Sequence, residues 1–419
     1  MVCALLALPP VPGLAQTGPQ PKDVRMVAKD GQVAIPKLAQ YLNSPALITR
    51  IEVVKQLTEV GGKDSLDPLI LASHDPDPEM QLRAIDGMVN FYLPGYVRQG
   101  PAASIARAGA AIKAKFSDSN DQEIEGFVTV RPEVIETIGK LASGGNGMEV
   151  KAGACRAVGI LRGRAAIPDL LEALRTKDNT VMYESLVAIR KIRDPEAGPK
   201  ITYLLRDLDD RIQGVAIETV GLLQARDGLP TLRGIVDKPR GSKAERAALV
   251  AIALMPEPTD RTLLQRYLMH KDERLRAAAV EGLGRVGDAS DRVAIDRVWK
   301  DDDKMPPRLA SAFAITLAGN VDTAESAPFR YLLNTLNSAA WRETAAAYLT
   351  EASRKPAVLA ALRLPLETGT KDEKIQLARI LAVTGDSSAV PWLDRLSRET
   401  DTNIAQEGLR ALRSLRARL

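Results

Sequence analysis

Histidine, the side chain most often used as a metal ligand or general base, is scarce in this sequence. The 419 residues contain only His74 and His270, several repeat units apart in the pattern described below. Two side chains at that separation cannot share a metal ion. They also leave no Ser-His-Asp or Cys-His set to propose as a nucleophile. We therefore expect both histidines in solvated turns, and we predict no catalytic residue and no metal site.

Two polar loops match known ligand-binding loops only in part. Residues 144–147, Gly-Gly-Asn-Gly, lack the Gly-Lys-Ser/Thr that completes a phosphate-binding loop. Residues 118–123, Asp-Ser-Asn-Asp-Gln-Glu, lack the central glycine of a calcium-binding loop. The sequence predicts a helix-connecting turn at the first position and a solvated acidic loop at the second, with no cofactor at either.

Arginines stand at the start of several Ala-rich segments, and side by side they could form a functional row of positive charge. One interpretation is a stripe of positive charge that binds phosphate or DNA. The other is that each guanidinium pairs with an acidic residue of a turn, and we favour it because 57 basic and 53 acidic residues leave a net charge of only +4. The arginines are Arg246, Arg276, Arg308 and Arg342, and the candidate acids are Asp77, Asp178, Asp272 and Asp401.

A repeat explains the spacing of these residues. Pro168, Pro199 and Pro230 are 31 residues apart, and Arg261 and Arg292 continue the same register. Proline is favoured in the first turn of a helix, where the missing N–H has no partner. Each unit opens a second, Ala-rich helix about 14 residues later, roughly half of the repeat period. Two amphipathic helices per period predict an α-solenoid.

Residues 270–289, HKDERLRAAAVEGLGRVGDA, resemble a HEAT-like repeat of the short bacterial type, also called phycobilisome-lyase-type. The resemblance rests on the acidic turn, the Arg-Ala pair that follows it, and the Leu-Gly and Val-Gly pairs at the end of the segment. Residues 75–78, Asp-Pro-Asp-Pro, with Arg83-Ala84 carry the same signature. The resemblance implies an all-α fold, a right-handed superhelix of about ten or eleven helical hairpins over residues 31–419. It identifies a scaffold rather than a function.

The N-terminal segment has the composition of an export signal. Residues 1–15 are apolar and end in Gly-Leu-Ala before Gln16, a pattern typical of signal-peptide cleavage. We expect residues 16–30 to be a linker and the protein to be exported, periplasmic or associated with the cell envelope. No later run of about 18 apolar residues predicts a transmembrane span. The only cysteine beyond this segment, Cys155, is predicted to be a buried small side chain.

One segment departs from the repeat, and we predict that this insertion, at about 91–130, recognises a partner. It has a basic half followed by an acidic half, and it concentrates aromatic residues in a chain that is only 4% aromatic. Aromatic and arginine side chains are common anchors of interfaces. An alternative is a degenerate repeat whose aromatic rings fill the space between layers. The candidate partner-binding residues are Phe91, Tyr92, Tyr96, Arg98, Arg107, Lys113 and Lys115.

These observations lead to one functional hypothesis and one alternative. We expect a non-enzymatic, exported, monomeric scaffold that binds a protein or peptide partner, without cofactor and without nucleic acid. The alternative is a HEAT-like enzyme or nucleic-acid binder, with a groove like that of HEAT-like DNA glycosylases, or a protein similar to the phycobilin lyases and chaperones of this repeat class. Salt-dependent DNA binding would favour the alternative.

Overall fold

The computed structural model describes residues 18–97 and 122–419, and every regular element in these residues is helical. An N-terminal helix, Pro21–Ala28, precedes eleven helical hairpins, each with a first and a second helix, joined by short turns and 3₁₀ segments. The bounds, first helix then second, are: hairpin 1, Ile35–Gln40 and Leu47–Val60; hairpin 2, Leu66–Ala72 and Pro78–Tyr92; hairpin 3, Pro132–Gly144 and Met148–Ile160; hairpin 4, Ile167–Ala173 and Asn179–Ile192; hairpin 5, Gly198–Ile201 and Asp210–Leu222; hairpin 6, Leu229–Asp237 and Ser242–Leu254; hairpin 7, Arg261–Tyr267 and Glu273–Val286; hairpin 8, Arg292–Asp301 and Met305–Leu317; hairpin 9, Pro328–Thr335 and Arg342–Ala352; hairpin 10, Pro356–Ala361 with Arg363–Thr368, and Lys371–Thr384; hairpin 11, Val390–Leu396 and Thr402–Arg418.

This arrangement confirms the all-α solenoid expected from the repeat. Pro168, Pro199 and Pro230 each lie in the first turn of the first helix of their hairpin. Six of the eleven second helices in the described residues begin at a residue whose side chain accepts backbone N–H groups of the first turn, which a helix otherwise leaves without partners. The aspartates that cap second helices in this way are Asp77, Asp178, Asp209, Asp272 and Asp401.

The described residues form two compact units. Unit 1 comprises the residues up to Glu123 together with Val130–Asp169, and unit 2 comprises Ile124–Thr129 together with Leu170–Leu419. Within each unit the second helices of consecutive hairpins pack against one another along the chain. Their Leu, Ile, Val and Ala side chains form the core, because one hairpin cannot bury its apolar stripe alone.

The linker expected at residues 16–30 is instead largely helical. The N-terminal helix, Pro21–Ala28, packs against the second helix of hairpin 1. Val24 is fully buried there, and Thr49 donates its hydroxyl hydrogen bond to the carbonyl of Pro19 over 2.9 Å. An apolar face on this eight-residue helix, about two turns long, packs on the first hairpin, which is why the segment forms part of the stack. The signal-like residues 1–15 lie outside the described residues.

The insertion leaves the stack of unit 1 uninterrupted. The second helix of hairpin 2 packs directly on the second helix of hairpin 3, although 39 residues separate Tyr92 from Arg131 in sequence. The Nε2 amide of Gln81 donates to the carbonyl of Asp75, and its Oε1 accepts the backbone N–H of Asn146 over 2.9 Å. The chain therefore leaves the repeat after one second helix and re-enters it at the next first helix.

Candidate functional site

The structure divides the predicted partner-binding residues into two groups. Phe91 and Tyr92 are the last residues of the second helix of hairpin 2, so the insertion begins after Tyr92 and not at residue 91. Their rings make an edge-to-face contact with centroids 4.8 Å apart. Both, like Tyr96, are half-buried. Four of the predicted residues lie outside the described residues: Arg98, Arg107, Lys113 and Lys115.

Tyr92 and Arg131 hold the two ends of the insertion together. The Tyr92 hydroxyl accepts the backbone N–H of Arg131 over 3.0 Å. The Arg131 guanidinium forms ion pairs with Asp67 and, over 2.9 Å, with Glu133. These hydrogen bonds raise the pKa of Arg131. The Tyr92 hydroxyl thus has a structural role at the base of the insertion.

The end of the insertion belongs to unit 2. Residues 124–129 are not helical, and Ile124 is buried with 6% of its surface exposed. Glu125 pairs with Arg410 on the second helix of hairpin 11, with an Oε1–Nε distance of 3.5 Å. Arg410 and Arg379 also pair with Glu407, over 3.5 and 3.0 Å. The second helix of hairpin 11 therefore contacts a non-helical segment of this same chain through one of two half-exposed arginines.

Arginines near the start of second helices pair with acids of the following hairpin. Each pair joins neighbouring layers, and three of the arginines also donate to backbone carbonyls of their own turn. These contacts support the ion-pair interpretation for three of the four arginines named from the sequence, Arg246, Arg276 and Arg342, and Arg308 is the exception. The pairs, with their shortest N–O distances, are Arg50–Asp75 at 2.7 Å, Arg246–Asp272 at 2.5 Å, Arg276–Asp302 at 2.7 Å and Arg342–Asp372 at 2.6 Å.

The acids proposed from the sequence are only partly the ones used. Asp272 pairs with Arg246, and Asp401 pairs with Lys371 over 2.8 Å. Asp77 and Asp178 instead cap their own helices. The difference arises because an arginine near the start of a second helix contacts the next hairpin and not the cap of its own helix. Its partner acid lies about 26 residues later in the sequence, close to one repeat period.

Both histidines lie in turns before second helices, as predicted. His74 is exposed, and its Nδ1 lies 2.9 Å from the carbonyl oxygen of Ile70. His270 is half-buried, and its Nδ1 accepts the backbone N–H of Asp272 over 3.0 Å. That hydrogen bond matches the one from the Asp77 N–H to Oδ1 of Asp75 at 2.9 Å. His270 thus replaces a turn aspartate, so its position has a structural explanation.

A polar cluster that the sequence analysis missed lies across the second helices of hairpins 7, 8 and 9. Arg285 donates to both carboxylate oxygens of Glu351, over 2.8 and 2.7 Å, and pairs with Glu281 over 3.1 Å. The Tyr348 hydroxyl donates to the other oxygen of Glu281. The ring of Phe313 stacks on Tyr348 at 4.6 Å, and the Arg285 guanidinium lies over Phe313 at 5.0 Å.

Burial shifts the protonation of this cluster. It raises the pKa of Glu281, against the opposing charge of Arg285, and it raises the pKa of Tyr348 well above the ordinary value. For Arg285 burial acts in the other direction, but the hydrogen bond to Glu351 and the charge of Glu281 outweigh it, so the pKa of Arg285 is raised. Tyr348 therefore stays neutral and Arg285 stays charged at neutral pH. Arg285 also donates to the carbonyl of Ala253 over 2.8 Å, and the contacts of Arg285, Phe313 and Tyr348 make the cluster a clamp between the second helices of hairpins 7, 8 and 9.

Two sequence signals could have pointed to this cluster. Glu281 and Arg285 are four residues apart on one helix face, the spacing of a helical ion pair. Tyr348 is an aromatic residue in a second helix that is otherwise rich in alanine. Neither signal predicts that the second helices of hairpins 7 and 9 are in contact across that of hairpin 8.

Two further features of the described residues bear on function. No group of three or more His, Cys, Asp and Glu side chains in this part of the chain is placed to hold a metal ion. Among the same residues, none of the helices has both the length and the apolar character needed to cross a bilayer. Cys155 is fully buried in the second helix of hairpin 3, as predicted.

Residues 135–221 match the family model of HEAT repeats. A curated protein, phycocyanobilin lyase subunit alpha of Nostoc sp. (strain PCC 7120), is 26% identical over 153 residues, which are 34% of this chain and 55% of that protein. The chain thus spans about half the length of the curated relative it matches.

Solved structures that are similar to this chain include three helical proteins of low sequence identity. Importin beta is 13% identical with a TM-score of 0.37, covering 91% of this chain and 57% of its own. An engineered protein is 19% identical with a TM-score of 0.34, covering 91% and 98%. The complex of CpcE and CpcF of phycocyanin lyase from Nostoc sp. PCC7120 is 19% identical with a TM-score of 0.33, covering 79% and 99%.

Proposed function

We propose that this chain, a HEAT-like repeat protein, is an exported, non-enzymatic scaffold that binds a protein or peptide partner on the second helices of unit 2. One observation carries the proposal. The non-helical segment 124–129 lies in unit 2 with Ile124 buried and Glu125 paired with Arg410. A second helix of the stack thus pairs with a non-helical segment of the same chain, and we infer that a partner segment can be bound by the same kind of contact.

The charges around this segment indicate which partner fits. Arg379 and Arg410 leave about half of their side-chain surface exposed, 51% and 50%, while they share the carboxylate of Glu407. Two arginines on one carboxylate leave donors for a second one, and Glu125 takes part of that capacity. A partner segment with an acidic residue next to an apolar one would satisfy the same surface.

The curated relative supports a protein partner. It is, by its name, one subunit of a lyase, and so works in an assembly. Assembly with another polypeptide, which the name of that relative implies, is the function that we propose for this chain as well.

The test is capture of a partner by variants of one helix. Arg410→Glu reverses the charge beside the docked segment, and Arg416→Glu makes the same change at an exposed position of the same helix. We expect capture from cell-envelope extract, identified by mass spectrometry, to be lost with the first variant and kept with the second. Equal capture by both would contradict binding at this surface. Hydrogen exchange of residues 124–129 should rise in Arg410→Glu alone.

Export is a separate part of the proposal and has its own test. It rests on residues 1–16 of the sequence, with cleavage before Gln16. The mass of the protein from an exported fraction should correspond to a chain that begins at Gln16. Recovery of the chain with Met1 from the cytosolic fraction alone would contradict it.

A second function is favoured by the likeness to the lyase subunit. A protein that handles a bilin should change the absorption spectrum of added phycocyanobilin in a saturable way. The scaffold proposal expects no such change and also no DNA binding whose affinity falls steeply with salt. A saturable spectral change would move the assignment to a lyase-type or chromophore-chaperone role.

A further inference from the structure

The row of interhairpin ion pairs is interrupted in unit 2 at Arg308. Arg276, in hairpin 7, pairs with Asp302, and Arg342, in hairpin 9, pairs with Asp372. Arg308 occupies the fourth position of its second helix, as Arg276 does. Within the described residues, however, the Arg308 guanidinium forms no ion pair and contacts two aromatic rings instead. Its buried Nε has no hydrogen-bond partner there.

The missing partner is explained by the turn that follows. Residues 336–341 are Leu-Asn-Ser-Ala-Ala-Trp and include no acidic residue. Asp272, which pairs with Arg246, stands four residues before Arg276, and Ser338 stands four residues before Arg342. Ser338 therefore occupies the place of Asp272, and in the part of the chain that the structure describes this turn supplies no carboxylate to Arg308.

Two aromatic rings hold the Arg308 side chain in place. Its guanidinium carbon lies 5.2 Å from the centroid of Trp299 and 5.1 Å from that of Tyr331. The two rings are in edge-to-face contact at 5.1 Å, and the Tyr331 hydroxyl donates to the sulfur of Met305 over 3.0 Å. Contacts with ring faces restrict the guanidinium group but do not use its N–H donors in hydrogen bonds.

We propose that Arg308 is a binding site for a carboxylate side chain of a partner polypeptide. The neighbouring arginines of the row each take a carboxylate at this place, and the planar fork of a guanidinium matches a carboxylate with two parallel hydrogen bonds. Because the aromatic rings already restrict the side chain, little conformational entropy remains to be lost on binding. The inference rests on the proposed scaffold function and names one contact that the partner supplies.

The experiment uses the full chain with ¹⁵N-labelled tryptophan and follows the indole N–H signal of Trp299, assigned with Trp299→Phe. The probes are the capped peptide Ala-Ala-Glu-Ala-Ala, its glutamine counterpart and inorganic phosphate. The glutamate peptide should shift the signal in a saturable way. The glutamine peptide should bind at least about 10-fold more weakly, as expected from the loss of a hydrogen bond to a charged group. An equal response to phosphate would overturn the assignment to a carboxylate.

Two variants and a control decide whether Arg308 is the site. Arg308→Met should abolish the shift. Ser338→Asp should abolish it too, because it supplies the missing carboxylate within the chain and leaves Arg308 intact if the first variant fails to fold. Ala339→Asp adds the same charge at an exposed position of the same turn and should retain binding. The inference is overturned if the peptide shifts the signal in Ser338→Asp as much as in the wild type. It is also overturned if the peptide causes no shift in the wild type. Loss of capture by Arg410→Glu in either case shows that the scaffold function stands without this site.

Discussion

Gly284 in hairpin 7 lies so close to Ala314 in hairpin 8 that a Cβ added to the glycine would stand 2.6 Å from the Ala314 Cβ and 2.9 Å from its Cα. Real Cβ atoms do not approach that closely, so only glycine permits this helix spacing. The next residue, Arg285, reaches past hairpin 8 to Glu351 of hairpin 9. Close approach of two second helices thus makes the three-hairpin clamp possible.

Gly284→Val should therefore destabilise unit 2. The added atoms force the helices apart, which we expect to lower the stability by about 1–3 kcal/mol, the usual cost of overpacking. The Arg285–Glu351 pair should lengthen with it. Thermal unfolding followed by circular dichroism measures the effect. Gly214→Ala is the matched control, because a Cβ there meets no atom within 4 Å, and alanine in a helix interior should stabilise by about 0.5–1 kcal/mol.

Asp302→Asn should lower stability in a pH-dependent way. Burial alone would raise the pKa of Asp302, but hydrogen bonds from Arg276 and from the backbone N–H of Lys304 hold the pKa below the ordinary 3.8. Its ionised form stabilises the fold above that pH, and the contribution is lost as the pH falls through the lowered pKa. We expect a loss of about 1–3 kcal/mol at pH 7, the range for hydrogen bonds to charged groups.

The measurement for Asp302→Asn is the unfolding midpoint against pH. The gap between variant and wild type should narrow steadily below pH 3.8. Asp303→Asn is the control, since that side chain is 81% exposed and pairs only with Lys304 over 3.2 Å. A gap for Asp302→Asn that stays constant down to pH 2 would show that its charge is not responsible.

Leu283→Asp should lower the stability of hairpin 7 and its neighbours and leave distant hairpins almost unchanged. Leu283 is fully buried in the second helix of hairpin 7, so an aspartate there loses apolar contacts and buries a charge. In a repeat stack each layer contacts only its neighbours. Hydrogen exchange should accelerate strongly in residues 260–300 and little in residues 33–90. Equal acceleration in both regions would contradict a one-dimensional stack.

The double change Tyr96→Ala and Arg98→Ala tests whether the insertion itself contacts the partner. Both residues follow the last repeat helix before the insertion, and Tyr96 is half-buried. If they bind the partner, helicity and melting temperature should hardly change while capture is lost. A melting temperature several degrees lower with capture intact would assign them to packing.

The repeat allowed much of the fold to be predicted from single positions. The prolines at 31-residue intervals placed three of the first helices, and aspartates placed the starts of five of the eleven second helices in the described residues, because both act within one helical turn. The insertion was predicted at about 91–130, and the helix before it continues through Tyr92. A helix continues for as long as its backbone hydrogen bonds and packing allow, and an aromatic residue at its end carries no local stop signal.

What the amino-acid sequence determined by itself is therefore everything that depends on short-range spacing: the helix class, the hairpin period, the caps and the burial of small residues such as Cys155. Only the tertiary structure decided which distant side chains meet. Tyr348 reaches Glu281 across 67 residues, and Glu125 reaches Arg410 across most of the chain. Such contacts depend on how closely the helices pack and on where the insertion re-enters, and both are set by the summed packing of many layers rather than by any motif.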